Sequence, residues 1–97
     1  MSVYVVALLK FTDVDRYRRY QQAFPEVFAR FNGTAVIADE APRRLEGDWT
    51  VDKVVVLGFP SEGDAAAFQE SPEYQAISND RKAGADATVF IVRGLGG

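Results

Sequence analysis

"DKVVVLGF", residues 52–59, decides how the chain is read. Its apolar, β-branched run makes it a strand, and Pro60-Ser61 ends it. Side chains alternate between the two faces of a strand, so Val54 and Val56 oppose Val55, Leu57 and Phe59. A half-buried strand shows apolar residues on one face and polar ones on the other. This one is apolar on both. "SVYVVALLK" (2–10) repeats the pattern, with Val3, Val5, Ala7 and Leu9 opposite Tyr4, Val6 and Leu8. "ATVFIVRG" (87–94) does so again, with Val89 and Ile91 opposite Phe90 and Val92. A sheet built from these strands needs cover on both sides.

The segments between the strands supply cover for one side. "TDVDRYRRYQQAFPEVFARF" (12–31) places Tyr17, Tyr20, Phe24, Val27, Phe28 and Phe31 at steps of three and four, which is the stripe of an amphipathic helix. Thr12 and Asp15 have the spacing of a capping box, Pro25 predicts a kink, and Asn32-Gly33 predicts a left-handed C-terminal cap. "TAVIAD" (34–39) and a short "RRLE" (43–46) form a second strand, broken or bulged around Pro42. Ser61 and Asp64 cap a short helix over "DAAAFQE" (64–70). "SPEYQAISNDRKAG" (71–84) restarts it, with Ser71 as N-cap and Pro72 at the first helical position.

The order is β-α-β-β-α-β, which is that of a ferredoxin-like α+β sandwich with a four-stranded antiparallel sheet. Residues 1–97 are expected to form one domain, since a chain of 97 residues has room for a single core. Its helices lie on one side of the sheet. The other side would leave roughly 400 Å² of apolar surface in projection, from ordinary strand spacings and lengths. Apolar patches of that size are seldom left in water. A second copy packed sheet to sheet is the expected cover, making a homodimer.

Composition excludes several classes of function. The net charge is −3 and the basic residues are scattered among acids, so no nucleic-acid partner is expected. No apolar run approaches the roughly 20 residues that span a bilayer, so no membrane partner is expected either. The chain contains neither Cys nor His, which removes thiolate chemistry, disulfides, His-based triads and the usual zinc sites. Asp39, Glu40, Glu46 and Asp48 match no calcium-loop spacing, and no metal or cofactor is expected. With no targeting signal in view, a cytoplasmic location is the default expectation.

"YVVALLKFTDVDRYRRYQQAF" (4–24), "LEGDW" (45–49), "VVLGFPS" (55–61) and "SPEYQAI" (71–77) together resemble the domain of unknown function 1330 family, within the dimeric α/β-barrel superfamily. The resemblance implies a ferredoxin-like subunit whose sheet pairs with a partner's to form a barrel. It implies no particular activity. The wider superfamily includes cofactor-free monooxygenases, muconolactone isomerase-like enzymes and haem-degrading proteins. Similar proteins often carry Arg at the position of Ala38 and an acid at that of Gly58. Because those positions lie on the two strands of one hairpin, the resemblance suggests an ion pair lost as a unit.

Six residues are candidates for a ligand site. Tyr17, Tyr20 and Tyr74 lie on helix faces that look toward the sheet, where rings hold an apolar body and hydroxyls orient a polar group. The plainer reading of all three is amphipathic core. Arg81, seven residues after Tyr74 on the same face, would receive a carboxylate or form a surface ion pair. Trp49, the chain's only Trp, sits in the hairpin tip Glu46-Gly47-Asp48-Trp49 as a cover for the core or dimer seam, or as a pocket wall. Glu46 beside it is the one candidate acid-base group, with a solvated acid paired to Arg43 or Arg44 as the plainer reading.

Two functions follow. One is a dimer that binds a small apolar or aromatic molecule between helices and sheet. The alternative is a cofactor-independent isomerase or monooxygenase-like enzyme that uses a carboxylate base on an activated carbonyl compound.

Overall fold

A computed structural model describes residues 2–95 of the chain. The elements are β1 (Val3–Phe11), α1 (Val14–Phe28), β2 (Thr34–Asp39), β3 (Lys53–Phe59), α2 (Glu62–Gln69), α3 (Pro72–Gly84) and β4 (Ala85–Arg93). The strands form one antiparallel sheet in the order β2-β3-β1-β4. This is the ferredoxin-like arrangement, with its second helical segment split at Ser71-Pro72. Ser71 Oγ accepts from the Tyr74 N–H at 3.1 Å and donates to the Phe68 carbonyl at 2.8 Å, so one side chain ends α2 and starts α3. Among the described residues no helix is long and apolar enough to cross a membrane.

Register decides which side chains meet the helices. Val5 pairs with Leu57 and Ile91, Ala7 with Val55 and Val89, and Leu9 with Lys53 and Ala87. Paired residues share a face, so the odd-numbered residues of these three strands point one way. Val3, Val5, Leu9, Leu57 and Phe59 join Tyr17, Tyr20, Phe28, Phe68 and Tyr74 of the helices in one buried core. The even-numbered residues form the opposite face. Tyr4, Val6, Leu8, Val54 and Val56 are half-buried there, and Phe90 and Val92 are exposed. The Cα trace measures 33 × 32 × 15 Å, the thickness of two layers, and among the described residues no helix lies over that face.

Phe68, 0% exposed, anchors the helix layer. The Phe24, Phe28, Phe31, Phe59 and Tyr74 rings lie with centroids 4.4 to 6.0 Å from its own. Gly33 makes room for this cluster, since a Cβ there would lie 2.5 Å from the Phe28 ring and 2.8 Å from Phe59. Space, and not backbone angle, is therefore its role. α1 ends at Phe28 with Ala29 in a right-handed conformation, and no left-handed cap forms at Asn32-Gly33.

Two other local expectations are corrected. The N-cap of α1 is Asp13, whose Oδ1 accepts from the Arg16 N–H at 3.2 Å, and Thr12 takes no part in a capping box. The Thr12 and Asp13 N–H groups both donate to the Gly84 carbonyl, at 2.9 and 3.0 Å, which holds the chain extended until Val14. The irregularity in β2 is a bulge between Ala35 and Ile37, and "RRLE" is not a strand. Pro25 lies inside α1 as expected, leaving the Gln21 carbonyl without its usual helical donor.

Candidate functional site

The layer between helices and sheet is filled at one end by the Phe68 cluster. Toward the other end it leaves a partly open cavity of about 240 Å³. Its floor is Val5, Ala7, Val55 and Leu57, and its roof comes from Tyr17, Tyr20 and Phe24 of α1 with Tyr74 and Arg81 of α3. Ala35 and Ala38 close the side at β2. Residues three apart on a regular strand face opposite ways. The bulge at Val36 changes this: Ala35 pairs with Leu57 and Ala38 with Val55, so both look inward. Short side chains at Ala7, Ala35 and Ala38 leave the space that larger residues would fill.

Two cations line this apolar space, and they are compensated differently. Lys53 is 4% exposed and starts β3 on the helix-facing side. Its Nζ lies 3.2 Å from Glu40 Oε2 and 4.9 Å from the centroid of the Tyr17 ring, so both a carboxylate and a π face offset its charge. Glu40 also accepts a two-pronged contact from Arg18, at 2.6 and 2.7 Å. The Arg18 hydrogen bonds hold the Glu40 carboxyl down to about 2, with Lys53 adding to them and partial desolvation opposing. The same contact raises Arg18.

Arg81 has no such partner. Its Nε is buried and makes no hydrogen bond, and among the described residues no carboxylate forms an ion pair with it. Nearby, the Tyr20 and Tyr74 hydroxyls lie 3.1 Å apart in the buried roof. Burial pushes the Tyr20 phenol far up, and the neighbouring Tyr74 adds to the effect. Tyr20 is thus a neutral hydrogen-bonding group at physiological pH, not a base.

Of the six candidate residues, Tyr17, Tyr20, Tyr74 and Arg81 line the cavity, whereas Glu46 and Trp49 do not. Both belong to the loop 40–52 and are exposed, Trp49 by 62%. Among the described residues Trp49 is not part of the core cluster, and Glu46 forms no ion pair with Arg43 or Arg44. The loop is fastened elsewhere. The Asp52 N–H donates to the Leu9 carbonyl, the Phe11 N–H to Asp52 Oδ2 (each 2.8 Å), and Lys10 Nζ to Thr50 Oγ1 at 3.0 Å. Gly47 turns the loop with a positive φ of 88°, a conformation that glycine adopts without strain.

The lost ion pair suggested for Ala38 and Gly58 does not fit the register. Ala38 pairs with Val55 and faces the cavity, whereas Gly58 pairs with Thr34 and lies against Tyr4 and Val36 on the other face. Side chains at these two positions would not meet. Lys53 was the residue that sequence reasoning missed. Its signal was present, because it extends the inward series Val55, Leu57 and Phe59 by one step of two.

The family model for the domain of unknown function (DUF1330) matches residues 2–95, and the chain belongs to that family. No curated protein matches it in sequence. A protein of unknown function from Rhodopseudomonas palustris is similar in structure, with a TM-score of 0.83 and 19% identity over 99% of this chain and 84% of that one. SnoaB, a cofactor-independent oxygenase from Streptomyces nogalater, superposes with a TM-score of 0.71 at 13% identity, covering 96% of this chain and 92% of its own. A dimeric ferredoxin-like protein of unknown function from Thermobifida fusca gives 0.70 at 19% identity, over 97% and 92%. At these identities the likeness is one of fold.

Glu40 generates a pH-dependent prediction. A carboxyl held low in the folded chain stabilises it fully above the ordinary value of 4.5, and that contribution is lost as pH falls through about 2. Glu40→Gln should lower the melting temperature at pH 7 by about 4–8 °C, the equivalent of about 1 kcal/mol for a pair partly screened by solvent. Thermal denaturation from pH 7 down to 2 should show the gap from wild type closing below pH 4.5. A gap that stays constant over this range would contradict the assignment.

Proposed function

We propose that this member of the family works as a homodimer, joined through the open face of its sheet, in which each subunit binds a small apolar or aromatic molecule between helices and sheet. The cavity carries the reading. It is walled by apolar side chains from both layers, with a few polar groups gathered in the roof, which is the usual make-up of a small-molecule site. The dimer is supported by the even-numbered face, whose apolar residues are half-buried or exposed among the described residues. The dimeric state of the ferredoxin-like protein from Thermobifida fusca points the same way.

The enzymatic alternative has less support. General base catalysis needs a group within hydrogen-bonding reach of the substrate and titrating near working pH. Lys53 and Arg81 are the charged residues among those described lining the cavity, and no carboxylate joins them. Glu46, the carboxylate this reading depended on, is exposed on the loop outside. SnoaB shares the fold, and fold alone does not carry its chemistry across.

The cavity is tested by filling it. Ala38→Phe places a ring in the space while leaving the helix-facing core intact. Titration of fluorobenzene, followed by ¹⁹F NMR, should show binding to wild type and a loss of at least about tenfold in the variant, one decade being about 1.4 kcal/mol. Equal binding by a folded variant would place the ligand elsewhere.

The dimer is tested separately. Val6 pairs with Val56 and Phe90 at the centre of the open face. Val6→Asp would bury an unpaired charge in the proposed interface, at a cost of about 3–5 kcal/mol. Sedimentation velocity at micromolar concentration should show a wild-type dimer and a monomeric or unfolded variant. A monomeric wild type would refute the assembly.

A further inference from the structure

We infer that the cavity ligand is a small monocarboxylic acid with an apolar body the size of a single ring, its carboxylate received by Arg81 and by a Tyr20–Tyr74 hydroxyl. This rests on the cavity being a ligand site and goes further by naming the class of molecule. Three observations carry it.

The first is the balance of charge. Lys53 has the Glu40 carboxylate beside it, shared with Arg18 at the surface, whereas Arg81 forms no ion pair among the described residues. A guanidinium keeps its proton under all conditions relevant to proteins, so burial cannot neutralise it as it can a lysine. Arg81 is half-buried, and its Nε–H is buried without an acceptor; an anionic ligand in the cavity would supply that acceptor and a counter-charge together. One carboxylate would match the single charge of Arg81.

The second is a count of protons. Tyr20 and Tyr74 share one hydrogen bond, which uses one of their two O–H protons, whichever group donates. The other hydroxyl proton has no acceptor among the described residues, so it is available to the ligand. Arg81 lines the same cavity as Tyr20 and Tyr74. A carboxylate between them would accept from the guanidinium and from the spare hydroxyl, satisfying both with its two oxygens.

The third is size. A cavity of about 150 Å³ lined by aliphatic and aromatic side chains admits benzene. The present cavity, at about 240 Å³, has room for one ring and a carboxylate. Ala7, Ala35 and Ala38 define the part of the floor and side wall where the ring would lie.

The experiment compares 4-fluorobenzoate, 4-fluorobenzamide and fluorobenzene by ¹⁹F NMR titration of the wild-type protein at pH 7. The acid and the amide have nearly the same shape, so their difference reports the charge. The acid should bind at least about tenfold more tightly than the amide, as expected for charge-assisted hydrogen bonds. In Arg81→Met this preference should fall to about twofold or less, with fluorobenzene reporting whether the cavity survives the substitution. Equal binding of acid and amide by wild type, alongside binding of fluorobenzene, would overturn the carboxylate inference and leave the cavity reading standing. An undiminished preference for the acid in Arg81→Met would overturn the role of Arg81. Binding of none of the three would remove the cavity reading itself. The comparison on wild type needs no variant, so it decides the matter even if Arg81→Met fails to fold.

Discussion

The separation of the helices from the sheet depends on Phe68. Burying a Phe stabilises a fold by about 1.5–3 kcal/mol, and favourable ring pairs add about 0.5–1.5 kcal/mol each. Phe68 makes such pairs with rings from α1, α3 and β3, so these elements are held apart by the thickness of the aromatic cluster. A rigid layer cannot then collapse onto small residues further along the sheet. Ala7, Ala35 and Ala38 sit where the spacing is already fixed, and the cavity is what their short side chains leave unfilled. The same large residues that stabilise the fold thus create an unfilled space beside it.

Charge is arranged around that space with an asymmetry. Lys53, Glu40 and Arg18 form a closed group, in which the start of β3, the end of β2 and the exposed side of α1 are tied together. Such a group costs desolvation and returns it through geometry, so its contribution is to position the loop 40–52 as much as to stabilise. Arg81, one layer away in α3, is left open. A binding site needs a fixed scaffold and a group whose interactions are completed only by the ligand. In the proposed binding reading, the two cations of this cavity divide those roles between them.

Much of this was legible in the residues, and the remainder was not for identifiable reasons. The two-sided apolar strands, the helix stripe from Tyr17 to Phe31 and the Ser71-Pro72 restart are local patterns, so sequence alone placed them. Asp13 displaced Thr12 as cap because a carbonyl from α3, some seventy residues on, fixes where the chain turns. The bulge at Val36 has no Gly or Pro to mark it, and it alone decides that Ala35 and Ala38 share a face. Glu46 drew attention because it neighbours Trp49. Neighbours in a long loop need not be buried together, and here the fastening points are Thr50 and Asp52. That Arg81 lacks a partner is a property of three-dimensional surroundings and leaves no trace in its own segment.

The account turns on a ligand lying between the helices and the sheet, and intermolecular NOEs would locate it directly. With ¹³C-methyl-labelled protein and unlabelled 4-fluorobenzoate, an isotope-filtered NOESY should connect the probe's ring protons to the methyl groups of Ala7, Ala38, Val55 and Leu57. Those methyls line the cavity from the sheet side. NOEs confined to Val6, Val56 and Val92, on the opposite face, would contradict the account by showing that the probe adheres to the uncovered side of the sheet.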